Sequence, residues 1–147
     1  MIFSLLNTGL TAICQYAQSN DTQVSVGYID IGRKAYNTAT DTFEYNSKGI
    51  LVKQSGIYAI ECHYHVLAEA NDIINLIFEY ATSSKSKQIS KILCVPITCQ
   101  ITDQIISIIK VDVETRVLIK IRSEGNKSYA FSAGQSSDNY IIVKKLA

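Results

Sequence analysis

The stretch Ile57–Val66, IYAIECHYHV, constrains the fold more than any other part of the chain. Its polarity changes with a period of two. Tyr58, Ile60, Cys62, Tyr64 and Val66 fall on one face, and Ala59, Glu61, His63 and His65 fall mostly on the other. An alternation this long defines a β-strand with one buried face. Just before it, Ile50–Lys53 is short and β-prone. Gln54-Ser55-Gly56 between them reads as a tight turn, because glycine adopts a positive φ at little cost. Phe43–Val66 is therefore expected to be a β-hairpin at the centre of the fold.

The remaining segments carry the same signal. Strands are expected over 24–31, over Ile73–Tyr80 with Ile74, Leu76, Phe78 and Tyr80 on one face, and over Ile89–Ile97. The chain's single proline, Pro96, confines the end of that last strand to a sheet edge or a bulge. Ile105–Val113 is apolar on both sides at its start, which points to burial between two surfaces, within one chain or between subunits. Arg116–Arg122, Ser128–Ser132 and Tyr140–Leu146 complete the set. Leu, Ala and Glu in 67–80 suit a helix, but branched isoleucines and even spacing favour a strand. ATSSKSKQ (81–88) reads as a polar turn. Roughly eight to ten short strands and no helix describe an all-β, antiparallel sandwich or barrel.

The 147 residues suit a single domain, and 47% hydrophobic against 18% charged residues supply a real core. A net charge of +1 gives no field to attract nucleic acid or an anionic membrane surface. No apolar run is long enough for a transmembrane helix. Residues 1–20 contain no charged side chain, and Phe3, Leu5, Leu6, Leu10 and Ile13 are its hydrophobic anchors. They lack the basic start of a signal peptide, and Asn7 and Thr8 interrupt the apolar run, so the segment is expected to be retained. Two readings stand side by side: a tail that docks on a partner, with 21–147 as the domain, or a first strand of the domain itself.

Chemistry is sparse. Glu61-x-His63-x-His65 places three ionisable groups on one strand face, a spacing that some β folds use for metal. A solvated or interface-facing strand carries the same residues. No phosphate loop, nucleophile elbow or HExxH occurs. Cys14, Cys62, Cys94 and Cys99 form no CxxC pair and read as reduced, mostly buried thiols. The expectation is a protein without catalytic residues, metal or cofactor.

The order of elements resembles the jelly-roll domain shared by tumour necrosis factor (TNF) and the C1q globular head. Phe43-Glu44-Tyr45 before Gly49-Ile50-Leu51-Val52 is similar to that family's short strand and "G-x-F" strand. Ser55-Gly56-Ile57-Tyr58 resembles its "P-G-x-Y" turn, with Ser55 where proline is usual. Val113–Ile119 is similar to its "G-D-x-V" segment, with Glu114-Thr115 replacing Gly-Asp, and 137–146 resembles its last strand. The resemblance implies a two-sheet jelly roll that associates as a homotrimer. It also implies aromatic residues at the threefold axis, for which Tyr58, Tyr64, Phe78, Tyr80, Tyr129 and Phe131 are candidates. A stalkless domain rich in isoleucine, lysine, asparagine and tyrosine further leads us to expect a bacteriophage virion protein. It would be a head fibre or capsid decoration on the capsid surface, docked through residues 1–20. The alternative is a C1q-like head that binds a receptor or a host surface glycan.

Overall fold

The structure is a computed structural model that describes residues 11–20, 22–24, 26–81, 86–112, 115–123, 129–131 and 139–147. Every regular element among them is a strand. Two antiparallel sheets face each other as a jelly-roll sandwich. The larger sheet runs β4 (Arg33–Asn37), β1 (Ile13–Ala17), β13 (Tyr140–Lys145), β7 (Gly56–Ala68) and β10 (Cys99–Val111). Two short strands, β12 (Tyr129–Phe131) and β2 (Thr22–Val24), extend it from the far end of β7. The smaller sheet runs β5 (Phe43–Asn46), β6 (Gly49–Val52), β11 (Thr115–Ser123), β8 (Ile73–Ala81) and β9 (Ser86–Cys94), with β3 (Val26–Tyr28) beside β11.

The long alternating strand is present and central. Tyr58, Ile60, Cys62, Tyr64 and Val66 all point into the sandwich, at 0–1% exposure. They meet Ile50 and Val52 of β6 and Ile74, Leu76 and Phe78 of β8 in one continuous core with Cys14, Tyr16, Ile141 and Val143. Burying each large apolar side chain stabilises by about 1.5–3 kcal/mol.

The expected hairpin is corrected. β6 and β7 lie in different sheets, so 53–55 is a crossover from one layer of the sandwich to the other. Ile50 and Val52 reach the shared core from the smaller sheet, Tyr58 and Ile60 from the larger. Ser55 Oγ donates to the Asp112 carbonyl at 2.9 Å and pins the crossover. Gly56 is needed for close approach as well as for its φ of 158°: a Cβ there would lie 2.5 Å from the Ala147 carbonyl oxygen. That oxygen accepts from Ile57 N–H at 3.0 Å, which ties the last residues to the start of β7.

The hairpin in this region is β5–β6, paired from Phe43↔Val52 to Asn46↔Gly49. Its two loop residues, Ser47 and Lys48, have φ of 48° and 70°. Two positive values in succession mark the turn whose twist matches the strands, usually built from Asn-Gly. Here it is built without glycine, so its usual sequence signal is missing.

Three further differences follow from burial. The single strand expected over 24–31 is two: β2 joins the larger sheet and β3 the smaller. Changing layers lets both Ile29 and Ile31 plug the core at 0% exposure. β9 is shifted three residues toward the N-terminus relative to the expected strand, and β10 starts six residues earlier than expected; both are edge strands, so the mixed stretch 99–104 sits in β10 with one side in water. Pro96 lies in the crossover between them, where no ladder bond is lost. The charged strand β4 went unanticipated; Arg33 and Lys34 blunt a sheet edge.

Ile13 belongs to β1, paired with Lys144. Cys14 and Tyr16 beside it are core residues. The first-strand reading therefore describes 13–17, while Phe3, Leu5, Leu6 and Leu10 lie outside the described residues.

Candidate functional site

With one face of β7 committed to the core, the opposite face carries the side chains available for function. Register brings them into rows. One row crosses five strands: Tyr36, Gln15, Ile142, Glu61 and Ile106. The next holds Lys144, Ala59 and Ile108. The row on the other side holds Tyr140, His63 and Gln104. Ile106 and Ile108 are 58% and 67% exposed, and Ile57 and Tyr36 are also exposed. Isoleucines this open on a flat sheet face are what a monomer ordinarily avoids and a subunit contact uses.

The polar centre of this face is ordered. His63 Nε2 lies 3.2 Å from Glu61 Oε1, and the imidazole stacks on Tyr140 with centroids 4.3 Å apart and planes 11° from parallel. Desolvation, with the Glu61 charge added, pushes the Tyr140 phenol above its ordinary value. His65 turns to Thr102 Oγ1 at 3.1 Å instead of joining Glu61 and His63. Among the described residues no group of three or more His, Cys, Asp or Glu comes together that could hold a metal. Glu61 and His63 thus pair with each other while His65 faces Thr102, so the three do not converge.

The six aromatic candidates for the threefold axis divide. Tyr58, Tyr64 and Phe78 have 0% exposure in the single chain, so they have no area left to offer a second copy. Tyr58 meets Phe43 edge-on at 6.0 Å and donates its hydroxyl to the Gln54 carbonyl at 2.7 Å; Tyr64 donates to the Ile77 carbonyl at 3.3 Å. These three are core. Tyr80 is half-buried against Phe78, and Tyr129 and Phe131 belong to β12. The exposed residues Tyr36, Ile106 and Ile108, with half-buried Tyr140 and Ile142 beside them, were not singled out as a set. The signal lay in the two-sided apolar run that opens the expected strand at Ile105, whose inward residues in β10 are Ile105, Ile109 and Val111.

Beneath the face sits a buried polar latch. Asn139 donates to Gln18 Oε1 at 2.9 Å and to the His65 carbonyl at 3.1 Å, and its oxygen accepts from His65 N–H at 2.8 Å. Asn139 and Gln18 are each 1% exposed. Asn139→Ala strands several partners away from water and should cost about 2–4 kcal/mol. Urea denaturation measures it, and a loss under about 0.5 kcal/mol would show that the latch is open to solvent.

Cys14 and Cys62 are inert: burial pushes the Cys14 thiol up to about 12 and Cys62 higher still. All four thiols are free; Cys94 is exposed and Cys99 half-buried, against the expectation of mostly buried cysteines. At the end of the sandwich away from residues 145–147, the 69–72 and 95–98 loops brace each other through Asn71 N–H to Val95 O and Val95 N–H to Asp72 O. A shallow pocket of about 370 Å³ there is lined by Asn71, Asp72, Ile73, Cys94, Val95 and Pro96. Lys91 Nζ and Asp103 Oδ1, 2.8 Å apart, tie edge strand β9 to edge strand β10.

No protein-family model matches the sequence, and no curated protein matches it. Solved structures do match in three dimensions. Murine APRIL at pH 5.0 superposes with a TM-score of 0.74 over 92% of this chain and 99% of that chain, at 13% identity. The Eiger TNF from S. frugiperda gives 0.72 over 93% of both chains, also at 13% identity. The chain has a TNF-like jelly-roll fold, and at this identity the likeness is one of fold.

Proposed function

We propose that this chain is a non-enzymatic, homotrimeric jelly-roll protein whose copies associate through the outer face of the larger sheet. The observation that carries this is the exposed pair Ile106 and Ile108, in adjacent rows with half-buried Ile142, around an ordered Glu61–His63–Tyr140 centre. Two further features support it. Edge strands β9 and β10 lie together at one side of the sandwich, and Ile92 on β9 is 62% exposed. Packing that side against a neighbour would cover both edges. The TNF-family domains whose fold it shares are themselves trimeric.

The finer reading is a structural virion protein: a head fibre or capsid decoration on the capsid surface. The apolar, uncharged stretch 1–10 would dock on the particle. Its alternative is a receptor- or saccharide-binding head, and mass spectrometry of purified particles separates the two. For the trimer itself, light scattering of the full chain at micromolar concentration should give about three times 16.3 kDa. A clean monomer overturns the reading.

A further inference from the structure

The Glu61–His63 pair occupies the middle of the face that the proposed trimer buries, and burial makes its charge state matter. In the single chain the Glu61 side chain is 42% exposed and His63 19% exposed, so water still solvates the carboxylate. Covering this face removes that water. A carboxylate beside a neutral imidazole then carries an uncompensated charge into an apolar contact, which is unfavourable. A carboxylate beside an imidazolium is a hydrogen-bonded pair of zero net charge, and the imidazolium also gains from the Tyr140 ring beneath it.

We propose that assembly takes up a proton at His63 of each chain, so that the trimer tightens as pH falls through the range in which imidazole titrates. This inference rests on the trimer reading and specifies how that contact is regulated.

The surroundings of His63 leave few competing charges. On its own strand the facing groups are Glu61 and His65. From β13 they are Tyr140, directly opposite, and Lys144, two rows away opposite Ala59. From β10 they are Gln104, opposite His63, and Thr102, with Lys110 three rows away opposite Ile57. Glu61 is thus the one anion facing His63 from these three strands, at 3.2 Å, and the lysines lie rows apart from it. His65 bonds to Thr102.

The sign follows from linkage. A proton bound more tightly in the assembled form favours assembly below the imidazole range, and that gain is lost as pH rises through it. With one such proton per chain, the half-assembly concentration should be about tenfold lower at pH 6 than at pH 8. Sedimentation equilibrium of the full chain across pH 5.5–8.5 measures this.

Two substitutions separate a titrating role from a structural one. His63→Gln keeps a donor for Glu61 but cannot gain charge, so association should become flat with pH and stay weak. Glu61→Gln removes the buried anion, so association should be flat and tight even at pH 8. His65→Gln should retain the wild-type slope. A trimer whose half-assembly concentration does not change between pH 6 and 8 overturns this proposal alone. So does a His63→Gln protein that keeps the slope, or a His65→Gln protein that loses it. A chain that stays monomeric at every pH and concentration overturns the trimer reading with it.

Discussion

Tyr58→Ala should lower the unfolding free energy by about 3–5 kcal/mol, the cost of emptying a large buried aromatic site. Tyr58 of β7 is fully enclosed in one chain, packed edge-on against Phe43 of β5. Tyr58→Phe keeps the ring and loses only the hydroxyl bond to the Gln54 carbonyl, for about 1 kcal/mol. The pair of variants divides packing from hydrogen bonding in urea titrations. It also divides core from interface: a core residue moves the denaturation midpoint independently of protein concentration. A loss below about 1 kcal/mol for Tyr58→Ala would mean that the ring is exposed.

Ile106→Lys with Ile108→Lys should do the opposite. Both side chains already stand mostly in water, so charging them should leave the folded monomer within about 0.5 kcal/mol of wild type. In the trimer each chain would bury two ammonium groups against an apolar surface, and association should weaken at least about a hundredfold. Light scattering reads the mass and far-UV circular dichroism the fold. A trimer of unchanged affinity would move the contact to another face.

Much of this architecture was legible because period-two alternation is a local signal. Ile57–Val66 and Ile73–Tyr80 announce their buried faces residue by residue. What is not local was harder to read. Whether 53–55 turns back within a sheet or crosses between sheets depends on what lies opposite Ile50 and Val52, which is β7 in the other layer. The Ser47-Lys48 turn lacks the glycine that usually marks it. β4 is a strand because β1 needs a neighbour, although Arg33–Asn37 has no apolar face of its own.

The candidate face divides along the same line. Glu61, His63 and His65 could be placed on one side of a strand from sequence alone. That His63 stacks on Tyr140, distant in the chain, and that His65 turns away to Thr102 are facts of register. Aromatic character did not indicate exposure: Tyr58, Tyr64 and Phe78 fill the sandwich, and the open positions on the outer face include Ile106 and Ile108 of β10.

The placement of β13 has a consequence for how the protein is made. It lies between β1 and β7, near opposite ends of the sequence from β1 and at a long separation from β7. Until residues 140–145 leave the ribosome, β1 has no partner on that side and β7 keeps an open edge. Contacts this distant in sequence slow folding, and exposed edges invite pairing with other chains. The larger sheet should therefore close only after synthesis of the chain is nearly complete, and nascent chains halted before residue 140 should be protease-sensitive and depend on chaperones.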